Sequence, residues 1–224
     1  MDRRLLWFSG TLLPILVWSA VRPHDSFTWA LEVAPIFIGL PVAFAAQRRF
    51  PLSSLLLVLL WGHAVVLIVG GHYTYARVPL GNWAMEWFGW TRNNFDKVGH
   101  FAQGFVPAIL AREILLRASP LGCGQFVVAV ADRGPESARP AAVRPSRWLG
   151  FIVVSVCLAF SAFYELIEWW VAVASGAAAD DFLGTQGYAW DTQSDMAWAL
   201  TGAIVALVAC SRWHDRSLAR LRVA

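Results

Sequence analysis

Charge is what this chain has least of. Only 15% of its 224 residues are Asp, Glu, Lys or Arg, against roughly 25% in an average soluble domain. Hydrophobic residues make up 58%, and mean hydropathy is +0.52. This balance excludes a disordered chain, a basic nucleic-acid-binding domain and an ordinary cytosolic enzyme. Cysteine is also sparse. Cys123, Cys157 and Cys210 form neither a CxxC pair nor any metal-ligand spacing, so they imply no disulfide framework and read as small buried hydrophobes. Lysine occurs once, as Lys97. No internal repeat is visible, which counts against a transporter built from matched halves.

What the chain does have is long apolar blocks. Six stand out: Leu5–Val21, Phe27–Phe44, Leu52–Gly70, Val98–Leu116, Trp148–Ala174 and Thr192–Cys210. Crossing about 30 Å of hydrocarbon takes around 20 helical residues, and lipid leaves backbone polar groups no partner outside a helix. The expected fold is therefore all-α, one integral membrane domain over 1–224 with about six spans. The second block is the weakest, interrupted by Glu32, Pro35 and Pro41. Many of the 13 Trp lie near block ends, where an indole sits at headgroup level.

Arginine placement gives an orientation. With the N-terminus inside, Arg3, Arg4, Arg48, Arg49, Arg112, Arg117, Arg133, Arg139, Arg144, Arg147, Arg212, Arg216, Arg220 and Arg222 are cytoplasmic, and only Arg22, Arg77, Arg92 and Lys97 lie outside. The positive-inside rule then predicts N-in and C-in. The net charge of +3 follows from that bias and does not point to nucleic acid; membrane lipids are the expected partners. The first block could end in a signal cleavage after Ala20, but bulky Trp18 disfavours that site, and an uncleaved anchor is expected. Residues 118–146, rich in Ala, Pro, Gly and Arg, read as a flexible cytoplasmic loop. Residues 71–97 instead carry Trp83, Trp87, Trp90, Tyr73, Tyr75, Met85 and Phe88, and predict an outer cap with a short amphipathic helix near Trp83–Trp90.

Ten of the 15 acidic residues fall on the outer side or in outer halves of spans. Three helical pairs concentrate them: Asp96 with His100, Glu165 with Glu168, and Asp191 with Asp195, each spaced to share one helix face. Glu165, nine residues before Ala174 and so about 14 Å into its helix, is the deepest carboxylate. The pairs sit at similar depth, so they can converge. A cation must then neutralise them, or shared protons must. One imidazole among carboxylates suits Mg²⁺, Mn²⁺, Zn²⁺ or non-haem iron, although the ExxH pair of di-metal bundles is absent. The metal ligands expected are Asp96, His100, Asp191 and Asp195, with Glu165 and Glu168 as the catalytic carboxylates. Supporting roles fall to Asn94, Lys97, Gln103, Gln186, His72 and Tyr75. The competing reading of Asp96 and Asp191 is helix capping, and of His100 a hydrogen-bonded bundle histidine. Glu165 and Glu168, inside an apolar helix, resist a bland reading. His63, Arg112, Glu113, His24 and His214 read as structural, anchor, loop or tail residues, and Asp180 with Asp181 as a solvated loop pair.

Three stretches carry a resemblance: Asn93-Asn94-Phe95-Asp96-Lys97-Val98-Gly99-His100-Phe101, Glu165-Leu166-Ile167-Glu168-Trp169, and Gly184-Thr185-Gln186-Gly187 running through Trp190-Asp191-Thr192-Gln193-Ser194-Asp195-Met196. Together they resemble the YjdF family of bacterial inner-membrane proteins, which implies that location and no particular reaction. More distantly, the chain is similar to VanZ-like membrane proteins, associated with glycopeptide resistance. By analogy that points toward envelope lipids or lipid-linked cell-wall precursors. The expected function is a metal-dependent enzyme acting at the outer face on a lipid or lipid-linked substrate. A packing scaffold is the alternative, followed by an ion- or proton-coupled transporter.

Overall fold

Residues 3–119, 147–175, 180–183 and 185–221 are described by a computed structural model of the chain. All but the first two residues of the expected 118–146 loop, Cys123 with them, lie outside the described residues, as do Gly184 and the side chains of Asp180 and Asp181. The described residues form eight α-helices: α1 (Arg3–Ala20), α2 (Ser26–Ala46), α3 (Ser54–Tyr73), α4 (Pro79–Phe88), α5 (Phe95–Ala118), α6 (Arg147–Ser175), α7 (Asp180–Leu183) and α8 (Asp191–Leu221). The all-α expectation holds. Four helices, α2, α3, α6 and α8, are long and apolar enough to cross a membrane. The other two expected spans are also helical, but α5 carries charge at both ends, Asp96 and Lys97 at one and Arg112, Glu113 and Arg117 at the other.

Local chemistry explains the helix limits. Asp25 caps α2 by accepting from the Thr28 N–H at 2.6 Å, a bond that holds its carboxyl below the usual range. Glu32, Pro35 and Pro41 do not break α2, which runs through all three for 21 residues. Neighbouring helices in a bundle can satisfy what a proline frees. Ser53 caps α3, and Thr74 ends it in the left-handed region at φ 56°, followed by Tyr75 at φ 43°. α4 starts with Pro79 at its first turn and stops at Gly89, whose φ of 66° suits glycine. Trp83, Trp87 and Phe88 on α4 are exposed.

The centre of the bundle is the α5–α8 crossing, where small residues let two backbones touch. A Cβ on Gly104 would overlap the Ala199 carbonyl, and one on Gly202 would overlap the Phe101 carbonyl. Around this crossing α3, α5, α6 and α8 bury Leu56, Ala108, Ile109, Val153, Ala203 and Ala206, with Cys157 and Cys210 among them as the small hydrophobes expected. α1, α2 and α3 form a second core on Leu12, Val33, Ile36, Ala64 and Ile68. Gly104→Ala and Gly202→Ala should each destabilise the protein by about 1–3 kcal/mol through overpacking. Gly62→Ala, where an added Cβ meets nothing within 4 Å, should be neutral. Thermal unfolding in detergent compares them, and equal melting of all three variants would contradict a close crossing.

At the far end of α5 lies a polar network the sequence reading misplaced. His214, expected in the tail, is fully buried, because α8 continues eleven residues past Cys210. Arg112 and Glu113, expected as interface anchors, are also buried, at 2% and 0% exposure. Glu113 accepts from Ser53 N at 3.0 Å, Arg117 Nη1 at 2.7 Å and His214 Nε2 at 3.0 Å. Arg112 donates to His214 Nδ1 at 2.9 Å and to Asp215 at 2.8 Å.

Candidate functional site

Three helix segments deliver the polar residues. The first three turns of α5 carry Asp96, Lys97, His100 and Gln103; α6 brings Tyr164, Glu165 and Glu168; the first two turns of α8 bring Asp191 and Asp195. The start of α5 is pinned from outside. Asn93, 1% exposed, donates from Nδ2 to the Val78 carbonyl at 3.0 Å and to Asn82 Oδ1 at 2.8 Å, and accepts from Phe95 N. Gln186, at φ 50°, clamps the same residue: its Oε1 accepts from Asn93 N at 3.0 Å and its Nε2 donates to Asn93 O at 2.8 Å. Gln186 thus acts on the pin of α5 rather than on the carboxylates. Asn94 is the N-cap residue but makes no side-chain capping bond.

Lys97 sits at the centre of the outer acidic group. Its Nζ donates to Asp191 Oδ1 at 2.7 Å and to Asp195 Oδ1 at 2.6 Å, and lies 3.3 Å from Asp96 Oδ2. Arg92 bridges Asp96 and Asp191 at 2.7 and 2.8 Å. The cations beside Asp96 and Asp191 are therefore the chain's own ammonium and guanidinium groups. Tyr188 covers both, its ring centroid 5.1 Å from the Arg92 guanidinium carbon and 5.8 Å from Lys97 Nζ.

Asp195 also faces a second group. His100 Nε2 lies 3.6 Å from Asp195 Oδ1, and His100 Nδ1 lies 3.9 Å from Glu165 Oε1. Each of His100, Glu165 and Asp195 offers a ligand atom within 4.8 Å of the others. Glu165 is 7% exposed, and its Oε1 has no hydrogen-bond partner, an expensive state for a buried oxygen. Gln103 Oε1 pairs with His100 Nδ1 at 2.9 Å. A carbonyl oxygen accepts, so that pairing puts the proton on Nδ1 and leaves the Nε2 lone pair free.

Beneath this pair of groups lies a cavity of about 120 Å³. Asp96, His100, Gln103, Glu168 and Asp195 line it, and so does Tyr75. The Tyr75 ring occupies a slot that two glycines keep open, since a Cβ on Gly70 or Gly99 would strike it. Glu32, His63 and Tyr164 complete the polar wall, and Phe182 of α7, 6% exposed, closes part of it. Asn94 and Lys97 line a separate hollow on the other side of α5. His72 does not join the site. It pairs with the Ser19 carbonyl at 2.9 Å and packs on Trp18 and Tyr73.

Sequence reasoning passed over four of these residues. His63, expected to be structural, is mid-helix in α3 and reaches the same cavity as His100. Glu32 was visible as a charge in an apolar block, the signal that marks an intramembrane site. Tyr164 adjoins Glu165. Arg92 lies four residues before Asp96, but its bond to Asp191 exists only in the folded chain.

Residues 4–216 match the family described as a predicted membrane protein family, DUF2238. The chain belongs to this family. It is also 47% identical over 210 residues to inner membrane protein YjdF of Escherichia coli (strain K12), an alignment covering 94% of this chain and 90% of that protein. No solved structure matches. The family assignment and the four apolar helices together make this a multi-pass membrane protein. All three motif stretches that carried the YjdF resemblance fall inside the DUF2238 match, and Asp96, His100, Glu168 and Asp195 from them line the cavity.

Proposed function

We propose that this DUF2238 member is a six-span inner-membrane protein, N-in and C-in, whose polar cavity faces the outer leaflet, and that it is a divalent-metal enzyme. Its substrate is the polar end of a lipid or lipid-linked envelope molecule. The observation that carries the metal is the unpartnered Glu165 Oε1 beside His100 and Asp195. Two carboxylates and one imidazole on three helices form a ligand set with room for water and substrate. Lys97 holds Asp195 Oδ1, which leaves the second carboxylate oxygen for the ion. Gln103 orients His100 from behind, as second partners of metal-bound histidines do.

Glu165 and Glu168 then divide their roles. Glu165 is a ligand, while Glu168 lines the cavity and serves as general base for a water attacking a phosphoryl or acyl group. Asp96 and Asp191 hold Lys97 and Arg92 in place rather than the ion. Residues 71–97, with the exposed aromatic face of α4, form the cap at the outer interface.

Wild-type protein should purify with about one divalent ion and lose thermal stability in chelator. Glu165→Gln and His100→Ala should abolish metal retention, and Gln103→Ala should weaken it by about 10–100-fold. Elemental analysis and melting with and without chelator measure this. Metal-free, chelator-insensitive wild-type protein unharmed by Glu165→Gln would sink the metal reading. That result would favour the second reading, a scaffold whose polar cluster fixes helix packing. The paired state of Asp96, Asp191 and Asp195 with Arg92 and Lys97 supports that alternative.

A further inference from the structure

A second, larger cavity of about 370 Å³ lies between α1, α2, α3 and α5. Leu5 and Phe8 of α1, Ile36 to Ala46 of α2 and Leu110 and Ile114 of α5 contribute to its wall. Along α3 its lining runs from Leu57 to Leu67, ten residues or about 15 Å of helix. His63 is its one polar side chain. Pro35, His63 and Leu67 line this cavity and the polar one alike. The two spaces therefore share one short stretch of wall, a neck with the carboxylates on one side and hydrocarbon-like walls on the other.

The neck has its own unsatisfied group. His63 Nε2 is buried without a hydrogen-bond partner, an expensive state for a polar atom if nothing fills the place. A polar atom at the root of an apolar chain would satisfy it. The far wall has space to spare, since a Cβ on Gly39 meets nothing within 4 Å.

We propose that the apolar cavity is the tail site for a single-chain amphiphile, with its chain along α3, its first polar atom on His63 and its head in the carboxylate-lined cavity. A volume of about 370 Å³ is the size of a site for one small ligand, and an ordinary lipid-facing crevice does not share a wall with a buried acidic cavity. This deepens the lipid-directed reading above and rests on it for the head end, whereas the tail site stands on the cavity itself.

The test uses full-length protein in detergent and a hexadecyl phosphate probe carrying a mid-chain diazirine. Illumination should label α2 and α3 residues between 36 and 64, and excess unlabelled hexadecyl phosphate should compete. Gly39→Trp, or the smaller Ala43→Leu, should cut labelling at least about five-fold by filling the cavity, with melting temperature and metal content unchanged. His63→Phe should weaken the phosphate probe and leave a diazirine alkane unaffected. Labelling spread over exposed α6 residues such as Phe151 and Val156, indifferent to both filling variants, would show bulk lipid only and overturn the proposal. Labelling that survives in metal-free protein would keep the tail site while the metal reading fails.

Discussion

Lys97→Met should be among the most damaging single substitutions around the polar cavity, costing about 3–5 kcal/mol of stability. Lys97 is 8% exposed and shared among three carboxylates, two of them within 2.7 Å. Met fills nearly the same volume, so the loss is electrostatic rather than a cavity. Arg92 still serves Asp96 and Asp191, but in chelator-treated protein Asp195 is then left with no cation at hydrogen-bond distance, so the comparison is made in chelator. The cost of a broken buried pair is mostly the charge left behind. Neutralising that charge should therefore repair it: Lys97→Met with Asp195→Asn should recover more than half of the lost stability. Lys97→Arg should not rescue fully, because a planar fork cannot reproduce one nitrogen donating in two directions. Thermal unfolding of the single and double variants in detergent measures the coupling. A double variant as unstable as the sum of its parts would mean that Lys97 and Asp195 do not act on each other.

The centrality of Lys97 marks where sequence reading stopped. Composition and block length were enough for an all-α membrane bundle, because apolar runs in lipid have only the helix open to them. Helical spacing also placed Asp96 with His100, Glu165 with Glu168 and Asp191 with Asp195, and the structure brings members of all three pairs to one place. Spacing could not say which cation serves which carboxylate. Lys97 stood out only as an isolated lysine next to Asp96, and its bonds to Asp191 and Asp195 span 94 and 98 residues. The same limit hid the partner of Gln186, Asn93, which is 93 residues away. His63 failed for a different reason. Depth along a helix was legible, but the extent of a cavity between helices was not, and the cavity reaches the middle of α3. α8 outran its expected end because Ser211–Leu221 loses the apolar density of a span while still burying His214 and Leu218 on one face.

That buried tail supports the second large effect. Glu113→Ala should cost about 3–5 kcal/mol, comparable to Lys97→Met although Glu113 lies sixteen residues, or about 24 Å, further along α5. Glu113 is fully buried and accepts from a backbone N–H, a guanidinium and an imidazole, so its removal orphans three donors on three parts of the chain. Arg112 donates to His214 Nδ1, which leaves Nε2 to carry the proton given to Glu113. His214→Phe should also be harmful, since it takes one partner from each of the buried Arg112 and Glu113. Asp215 is the internal control. It pairs with the same Arg112 at 2.8 Å but is 54% exposed, so Asp215→Asn should cost under about 1 kcal/mol. Metal retention in the folded fraction of all three variants should match wild type, because the outer ligands share no partner with this network. A Glu113→Ala variant that melts with Asp215→Asn would show that the network is incidental, and that α8 is held to α5 by the glycine crossing alone.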